Sequence, residues 1–338
     1  MLFHDHMRKF RFLTILIFLF ATLIMTSPAN ASGLDPHKIL SIAVIPERAD
    51  LDFWMLLKKG ALKASTDDGK IKVLWINTAG HGSFKEQKKQ LEWCLNNQID
   101  AIVISPVHGR RMKKALQKVV NRGIPVIQMV AKSPISKSGF IHSDNFKGGA
   151  LAADFLQKEL GGSGSVVLGL FTKGNYPVNR RIEGFKEQLK RIDSKIKIAK
   201  SIYVGKSLQK GASRTRVAMY GNDTPSSKSN INAVIGLNES SSEILLHTLD
   251  HMKKLDGLKF IAYNPDPHMI DDIKNGKIAA AVAQDPYEIG RLAVTQAAMA
   301  ARGQKIPSET KTDVYLITKE NLNNPKNQEI LGLKERTL

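Results

Sequence analysis

Ser41-Ile-Ala-Val-Ile-Pro46, the amphipathic run over 52–65 and Lys70-Ile-Lys-Val-Leu-Trp-Ile-Asn77 read in order as strand, helix and strand. The two apolar runs are short and rich in β-branched residues, while the segment between them repeats its apolar residues at helical spacing. Strands that alternate with helices pair in parallel, because each helix carries the chain back across the sheet. The alternation continues outward. Helical spacing over 84–97 leads to a third strand, Ala101-Ile-Val-Ile-Ser-Pro106, then a helix over 110–120 and a strand over 126–130. That series is expected to complete one lobe. A second follows, with a helix over 144–160, a strand over 165–171 and a helix over 179–191. Strands over 196–203 and 233–236 flank a polar, Ser/Lys-rich interval from 205 to 230. A helix over 239–252 and strands over 258–263 and 278–283 come next, and a helix over 287–301 should return the chain to the first lobe. The fold class is therefore α/β: two Rossmann-like lobes with parallel sheets, joined by several hinge crossings.

The first residues read as an export signal. Arg8, Lys9 and Arg11 precede an uncharged apolar run over 12–25, and Ala29-Asn30-Ala31 offers the small residues a signal peptidase needs. The run is shorter than the ~20 residues that span a bilayer, and no cysteine stands near the cleavage site to carry a lipid anchor. Residues 1–31 are expected to be a signal peptide cleaved near Ala31, which places the remainder in the periplasm. That remainder is longer than one core usually serves, so two lobes are the natural expectation. Its only cysteine, Cys94, lies among apolar neighbours at helical spacing and reads as a small core residue. The net charge of +19 is spread through helical segments such as 58–59, 85–89 and 110–114, with no aromatic interleaving. No nucleic-acid partner is expected.

Ligands of open parallel sheets sit beyond the carboxyl ends of strands, so the residues just after each strand are the candidates for binding. Glu47 and Phe53-Trp54 follow the first strand, and an aromatic face there could stack on a ligand ring. Adjacent helical residues point about 100° apart, so Phe53 and Trp54 can hardly both be core on one stripe; at least one is expected in the cleft. Ser105 ends the third strand. Arg181 opens a helix, where a guanidinium can present a planar fork to paired hydroxyls or a carboxylate. Its neighbour Arg180 is the better candidate for an ordinary solvated arginine, although position alone does not separate the two. Asn238 and Asn264 each follow an apolar strand and carry donors and acceptors suited to hydroxyl-rich ligands, but asparagine in such a place is also a common N-cap. Gln284 follows the apolar run Ile278-Ala-Ala-Ala-Val-Ala283, where a polar side chain has little structural reason to stand.

Signals for catalysis are poor. His247 and His251 stand four apart on an expected helix, but Thr248 occupies the place of a zinc-protease glutamate. Two solvated histidines are the better reading, and no metal or cofactor is expected. Gly161-Gly-Ser-Gly164 precedes a strand rather than following one, so it is a turn and not a phosphate cradle. No Gly-x-Ser-x-Gly elbow occurs.

Taken in order, these residues resemble the type I periplasmic binding proteins of ribose, galactose and related sugars, whose fold lactose-repressor-type effector domains share. The landmarks are Ser41 to Pro46 with Phe53-Trp54 and Lys59-Gly-Ala61, Ile99 to Pro106, Gly123-Ile-Pro-Val-Ile127, Ser143-Asp-Asn145 with Gly148-Gly149, and Arg181-Ile-Glu-Gly-Phe185. Asn238-Glu239, Asn275-Gly-Lys277 and Ala283-Gln-Asp-Pro286 complete them. The resemblance implies a three-crossing hinge, with an N-terminal lobe from 39–142 and 285–306 and a C-terminal lobe from 143–284 and 307–330. It further implies ligand-contacting positions at Phe53, Trp54, Arg181, Asn238 and Gln284. Ser105 stands where these proteins often place asparagine, and Asn264 where they commonly place aspartate. Two departures stand out: Val130-Ala131 replaces the Asp-Arg that grips ring hydroxyls, and Glu47-Arg48 places unusual charge after the first strand. The implied function is capture of a small polar ligand, sugar or sugar-like, for an inner-membrane ABC permease, by a monomer and not an enzyme. A ligand-sensing co-receptor for a membrane histidine kinase or chemoreceptor is the alternative. A transcriptional repressor is disfavoured, because an export leader stands where a DNA-binding motif should be.

Overall fold

In the computed structural model the described residues are 38–48, 50–77, 82–205, 207–221 and 230–336. The expected leader over 1–31 lies outside them. The chain from Ile39 onward forms one compact unit. Its first half runs β1 (Leu40–Ile45), α1 (Asp52–Asp68), β2 (Ile71–Trp75), α2 (Phe84–Asn96), β3 (Ala101–Ile104), α3 (Gly109–Asn121), β4 (Val126–Met129) and β5 (Ser138–Ser143). Its second half runs α4 (Asn145–Glu159), β6 (Ser163–Leu170), α5 (Tyr176–Arg191), β7 (Lys195–Tyr203), α6 (Leu208–Tyr220), β8 (Ala233–Gly236), α7 (Glu239–His251), β9 (Lys259–Tyr263), α8 (Pro267–Lys274) and β10 (Ala280–Gln284). The chain ends with α9 (Pro286–Ala301), β11 (Thr310–Thr312), β12 (Val314–Ile317) and α10 (Pro325–Ile330).

The strands form two six-stranded sheets ordered β2-β1-β3-β4-β5-β11 and β7-β6-β8-β9-β10-β12. The orders correspond strand for strand, so the two lobes are built alike. All pairings are parallel except β12, which runs antiparallel to β10. Helices cover both faces, which is why β1, β3 and β8 read as unbroken apolar runs rather than alternating ones. Cys94 is buried in the cluster of Leu91, Met112 and Leu116 beneath α2 and α3. Burial pushes its thiol up to about 12, as suits a core residue.

Close helix pairs flank each sheet. A Cβ at Gly60 would stand 1.9 Å from the Tyr287 carbonyl oxygen, and one at Gly290 2.0 Å from that of Leu57, so α1 and α9 touch backbone to backbone. In the other lobe Gly149 and Gly184 play the same part between α4 and α5.

The chain passes between sheets at three places: β5 to α4, β10 to α9, and β11 to β12. Asp144 and Asp285 cap the helices that begin at the first two, each accepting a bond from a backbone N–H three residues on. Two expectations about the lobes need correcting. The first series does not end with the fourth strand, because β5 joins its edge and β11 joins β5, pairing Thr312 with Ser143. The third crossing therefore lies between Thr312 and Val314, beyond the boundary expected at 306/307. β11 is a short polar edge strand, and β5 beside it mixes polar residues with Phe140 and Ile141, so neither has the apolar run that marks the central strands. The interval 205–230 also contains α6, whose caps and helical period are diluted by its basic and serine residues.

Candidate functional site

The three crossings are stitched to one another by side chains. Gln284 Nε2 donates to Ser143 Oγ at 2.6 Å, and Ser143 Oγ lies 3.3 Å from Thr312 Oγ1. Gln284 Oε1 accepts from Asn264 Nδ2 at 2.9 Å and from Arg181 Nη2 at 2.6 Å. Arg181 also donates from Nε to Asn145 Oδ1 at 2.9 Å and from Nη1 to the Leu237 carbonyl at 2.6 Å. Its guanidinium stacks over the Tyr263 ring, 4.7 Å from the centroid. One arginine thus joins the ends of β8 and β10 to the start of α4.

This guanidinium is 3% exposed, and every hydrogen-bond partner it has is neutral. Burial pulls its pKa down to about 10, so it stays charged at neutral pH. Arg180, one position earlier and about 100° round the helix, is exposed and pairs with Glu183. Burial therefore separates two arginines that sequence position left equivalent.

A cavity of about 180 Å³ lies between the lobes. Asp52, Phe53 and Lys59 of α1 line one side, and Glu239, Asn264 and Gln284 the other, with the segment 330–333 closing an end. The cleft is bridged at two further points. Arg48, held by Asp50, donates from Nη1 to Ser240 Oγ at 3.2 Å. Lys132 Nζ lies 5.0 Å from the Phe140 ring centroid and 5.1 Å from that of Tyr176, and the two rings meet edge to face at 5.7 Å. Arg48, Lys132 and Phe140 belong to the first lobe, Ser240 and Tyr176 to the second.

The sequence-derived candidates divide accordingly. Arg181, Asn264 and Gln284 come together in the network, and Phe53 lines the cavity. Trp54 does not line it. It packs edge to face on Phe53, with centroids 5.2 Å apart, and both rings join the first-lobe core with Leu57 and Ile289. At least one of the two is expected in the cleft, and Phe53 stands there; both rings are also core, because the first turn of α1 has apolar neighbours on two sides. Asn238 caps α7, its Oδ1 accepting from the Ser241 N–H while Ser241 Oγ accepts from its own. Ser105 is fully buried with no partner for its hydroxyl, and does not line the cavity. Glu47 is half-buried just beyond β1. His247 and His251 stack on an exposed stretch of α7, and among the described residues no group of three acidic, His or Cys side chains could hold a metal.

Sequence reasoning passed over Tyr176 and gave no role to Asn145, Lys132 or Glu239, although Lys132 stands among the residues just after the fourth strand. Asn145 and Glu239 sat beside residues already singled out. Tyr176 carried no local signal, and its meeting with Lys132 depends on lobe packing. Backbone strain was equally invisible: Val130 and Asn264, at the ends of the equivalent strands β4 and β9, have φ of 62° and 50°. Left-handed backbone at a β-branched residue is rare and clusters at functional sites.

Glu239 is the buried acid of the cleft. Burial, then the neighbouring Asp266 and Asp52, push its pKa up to about 8, against a smaller opposing pull from Arg48. The folded chain therefore holds a proton that the unfolded chain has released between pH 4.5 and about 8. The stability from that proton is full below pH 4.5 and is lost as pH rises through 8. Glu239→Gln should leave the melting temperature unchanged at pH 4 and raise it at pH 9, by an amount equivalent to roughly 2–4 kcal/mol. A pH-independent difference in thermal melts would show that Glu239 is ionised throughout.

The family model described as "Periplasmic binding protein domain" matches residues 42–305. Among characterised relatives, a ribose import binding protein of Bacillus subtilis is 24% identical over 321 residues, covering 91% of this chain and 97% of its own. One from Haemophilus influenzae is 25% identical, covering 82% and 91% respectively. Among solved structures, an ABC transporter solute binding protein from Agrobacterium vitis bound with alpha-D-tagatopyranose superposes with a TM-score of 0.77 at 25% identity, over 86% of this chain and 99% of that one. A carbohydrate transporter solute binding protein from Agrobacterium radiobacter in complex with D-arabinose gives 0.76 at 25% identity, over 86% and 98%.

Proposed function

We propose, from the premise that this chain belongs to the periplasmic binding protein family, that it captures a small polar ligand, a sugar or sugar-like molecule, between its lobes and delivers it to an ABC permease. The observation that carries this reading is the hinge network. Asn264 and Gln284 present polar groups to a cavity that Phe53 flanks, and the buried Arg181 holds Gln284 in place from behind, where two parallel sheets end. A ligand lodged there touches both lobes, so it binds the closed arrangement better than an open one and shifts the population by that difference. The Arg48–Ser240 bond and the Lys132–Tyr176 contact would add to the closed state and break on opening. The relatives' sugars support the ligand class, and nothing in the site calls for catalysis. Titration calorimetry against pentoses, hexoses and inositols tests the reading: saturable heat from at least one is expected, and silence from all would defeat it.

A co-receptor role is the alternative, motivated by Val130-Ala131 in place of Asp-Arg and by the charged Glu47-Arg48, while the relatives support transport. Recovery of a histidine kinase rather than a permease from cross-linked membranes would select it. Export implies cleavage near Ala31, so mass spectrometry of the periplasmic form should find a mature terminus close to Ser32. Retention of residues 12–25 would overturn that expectation. A monomer is expected at the same step by sedimentation.

A further inference from the structure

The outer half of α3 carries six cations and no acid. Arg110, Arg111, Lys113, Lys114, Lys118 and the C-cap Arg122 are all exposed, while Met112, Leu116 and Val119 are buried against the sheet. Arg110, Lys114, Lys118 and Arg122 recur at four-residue steps and form one row along the helix, roughly 18 Å long at the ordinary rise. Among the described residues none of the six makes an ion pair, although Arg111 also lies over the Phe84 ring.

Six other helices are arranged differently, although α6 also carries three cations and no acid. Each of α1, α2, α5, α8, α9 and α10 pairs a cation with an acid one turn away, as in Lys88–Glu92 and Arg291–Glu288. On α3 the like charges repel along the row, and Arg110 and Arg111 oppose the positive end of the helix dipole. Its N-cap, His108, supplies no side-chain capping bond. Lys118 and Arg122 suit the negative end of the helix and Arg111 meets one ring, but the row gains no ion pair within the fold to offset its repulsions.

We propose that this face of α3 docks on an anionic phospholipid surface. The exposed residues are long cations and Asn121, with no aromatic or aliphatic anchor among them. Protein interfaces concentrate their affinity in desolvated apolar and aromatic centres and are depleted in lysine, so a protein partner is the poorer match. An array of lipid phosphates needs no such centre, and each lysine or arginine near it adds attraction that salt screens. Docking would keep the receptor at the membrane where a permease stands. It is independent of ligand capture, and either can fail alone.

Co-sedimentation with vesicles tests it, using phosphatidylcholine alone and phosphatidylcholine mixed with phosphatidylglycerol. With the periplasmic form of the protein, binding is expected only to the mixed vesicles and should vanish at high salt. Lys114→Gln with Lys118→Gln should weaken binding about thirtyfold, at roughly a tenfold change per 1.4 kcal/mol and ~1 kcal/mol per cation. The pair Lys195→Gln and Lys197→Gln, exposed on β7, should change it little. Circular dichroism should show the α3 variant melting close to the parent, since the repulsions removed offset the loss of Lys118 at the negative end of the helix. Equal losses from both pairs would reduce the effect to overall charge. Equal binding to neutral vesicles, or binding to duplex DNA with none to mixed vesicles, would overturn the proposal.

Discussion

Arg181→Ala is expected to lower the unfolding free energy by about 3 kcal/mol and to abolish measurable ligand binding. The truncation strips donors from Asn145 Oδ1, the Leu237 carbonyl and Gln284 Oε1 at once. Hydrogen bonds to a charged group contribute about 1.5–3 kcal/mol each. Removing a buried cation that has no carboxylate partner recovers part of that loss, because its desolvation penalty disappears. The balance still favours the wild type, since three buried acceptors at the junction of the crossings lose a donor and Gln284 Oε1 keeps only that of Asn264. Arg180→Ala should cost no more than ~0.5 kcal/mol, as an exposed pair with Glu183 predicts. Urea unfolding of the two variants, followed by titration with whichever sugar the parent binds, separates the cases. Comparable behaviour would mean the wrong arginine has been placed in the site. Arg181→Lys should rescue little, because one ammonium cannot serve three acceptors in the fixed directions of a planar fork.

Gly149→Ala is expected to destabilise by about 3 kcal/mol or more, at or beyond the upper end of ordinary overpacking. The added Cβ would sit 1.9 Å from the Arg181 carbonyl oxygen and 2.6 Å from the Phe185 nitrogen. Both are backbone atoms of α5, so relief requires the helices to part, and Arg181 moves with its helix. The variant should therefore lose stability and affinity together. Gly123→Ala is the control. Nothing stands within 4 Å of its added Cβ, and only left-handed backbone opposes the change, at about 1–2 kcal/mol. Thermal melts that fail to distinguish the two glycines would mean the α4–α5 contact is looser than described.

The parallel order of the strands was legible because alternating apolar runs and helical periods are local properties, and β8 even begins and ends where its apolar run does. β5 and β11 were not, since polar residues interrupt them, and neither was β12, an apolar run of only four residues at a sheet edge. The site was legible in part. Arg181, Asn264 and Gln284 stand at strand or helix ends, where a sheet's topology concentrates function. Asn238 stands at such an end too, and serves as an N-cap.

The sequence by itself determined the α/β class, the two-lobe series, the candidate export signal and the set of polar residues at strand ends, because each follows from neighbours within a turn or a strand. Only the tertiary structure decided which of those residues act together. Arg181 meets partners 36, 56 and 103 positions away, and Gln284 reaches Ser143 across 141. No local period encodes such distances. They are set when two sheets pack their helices and the chain crosses between them three times.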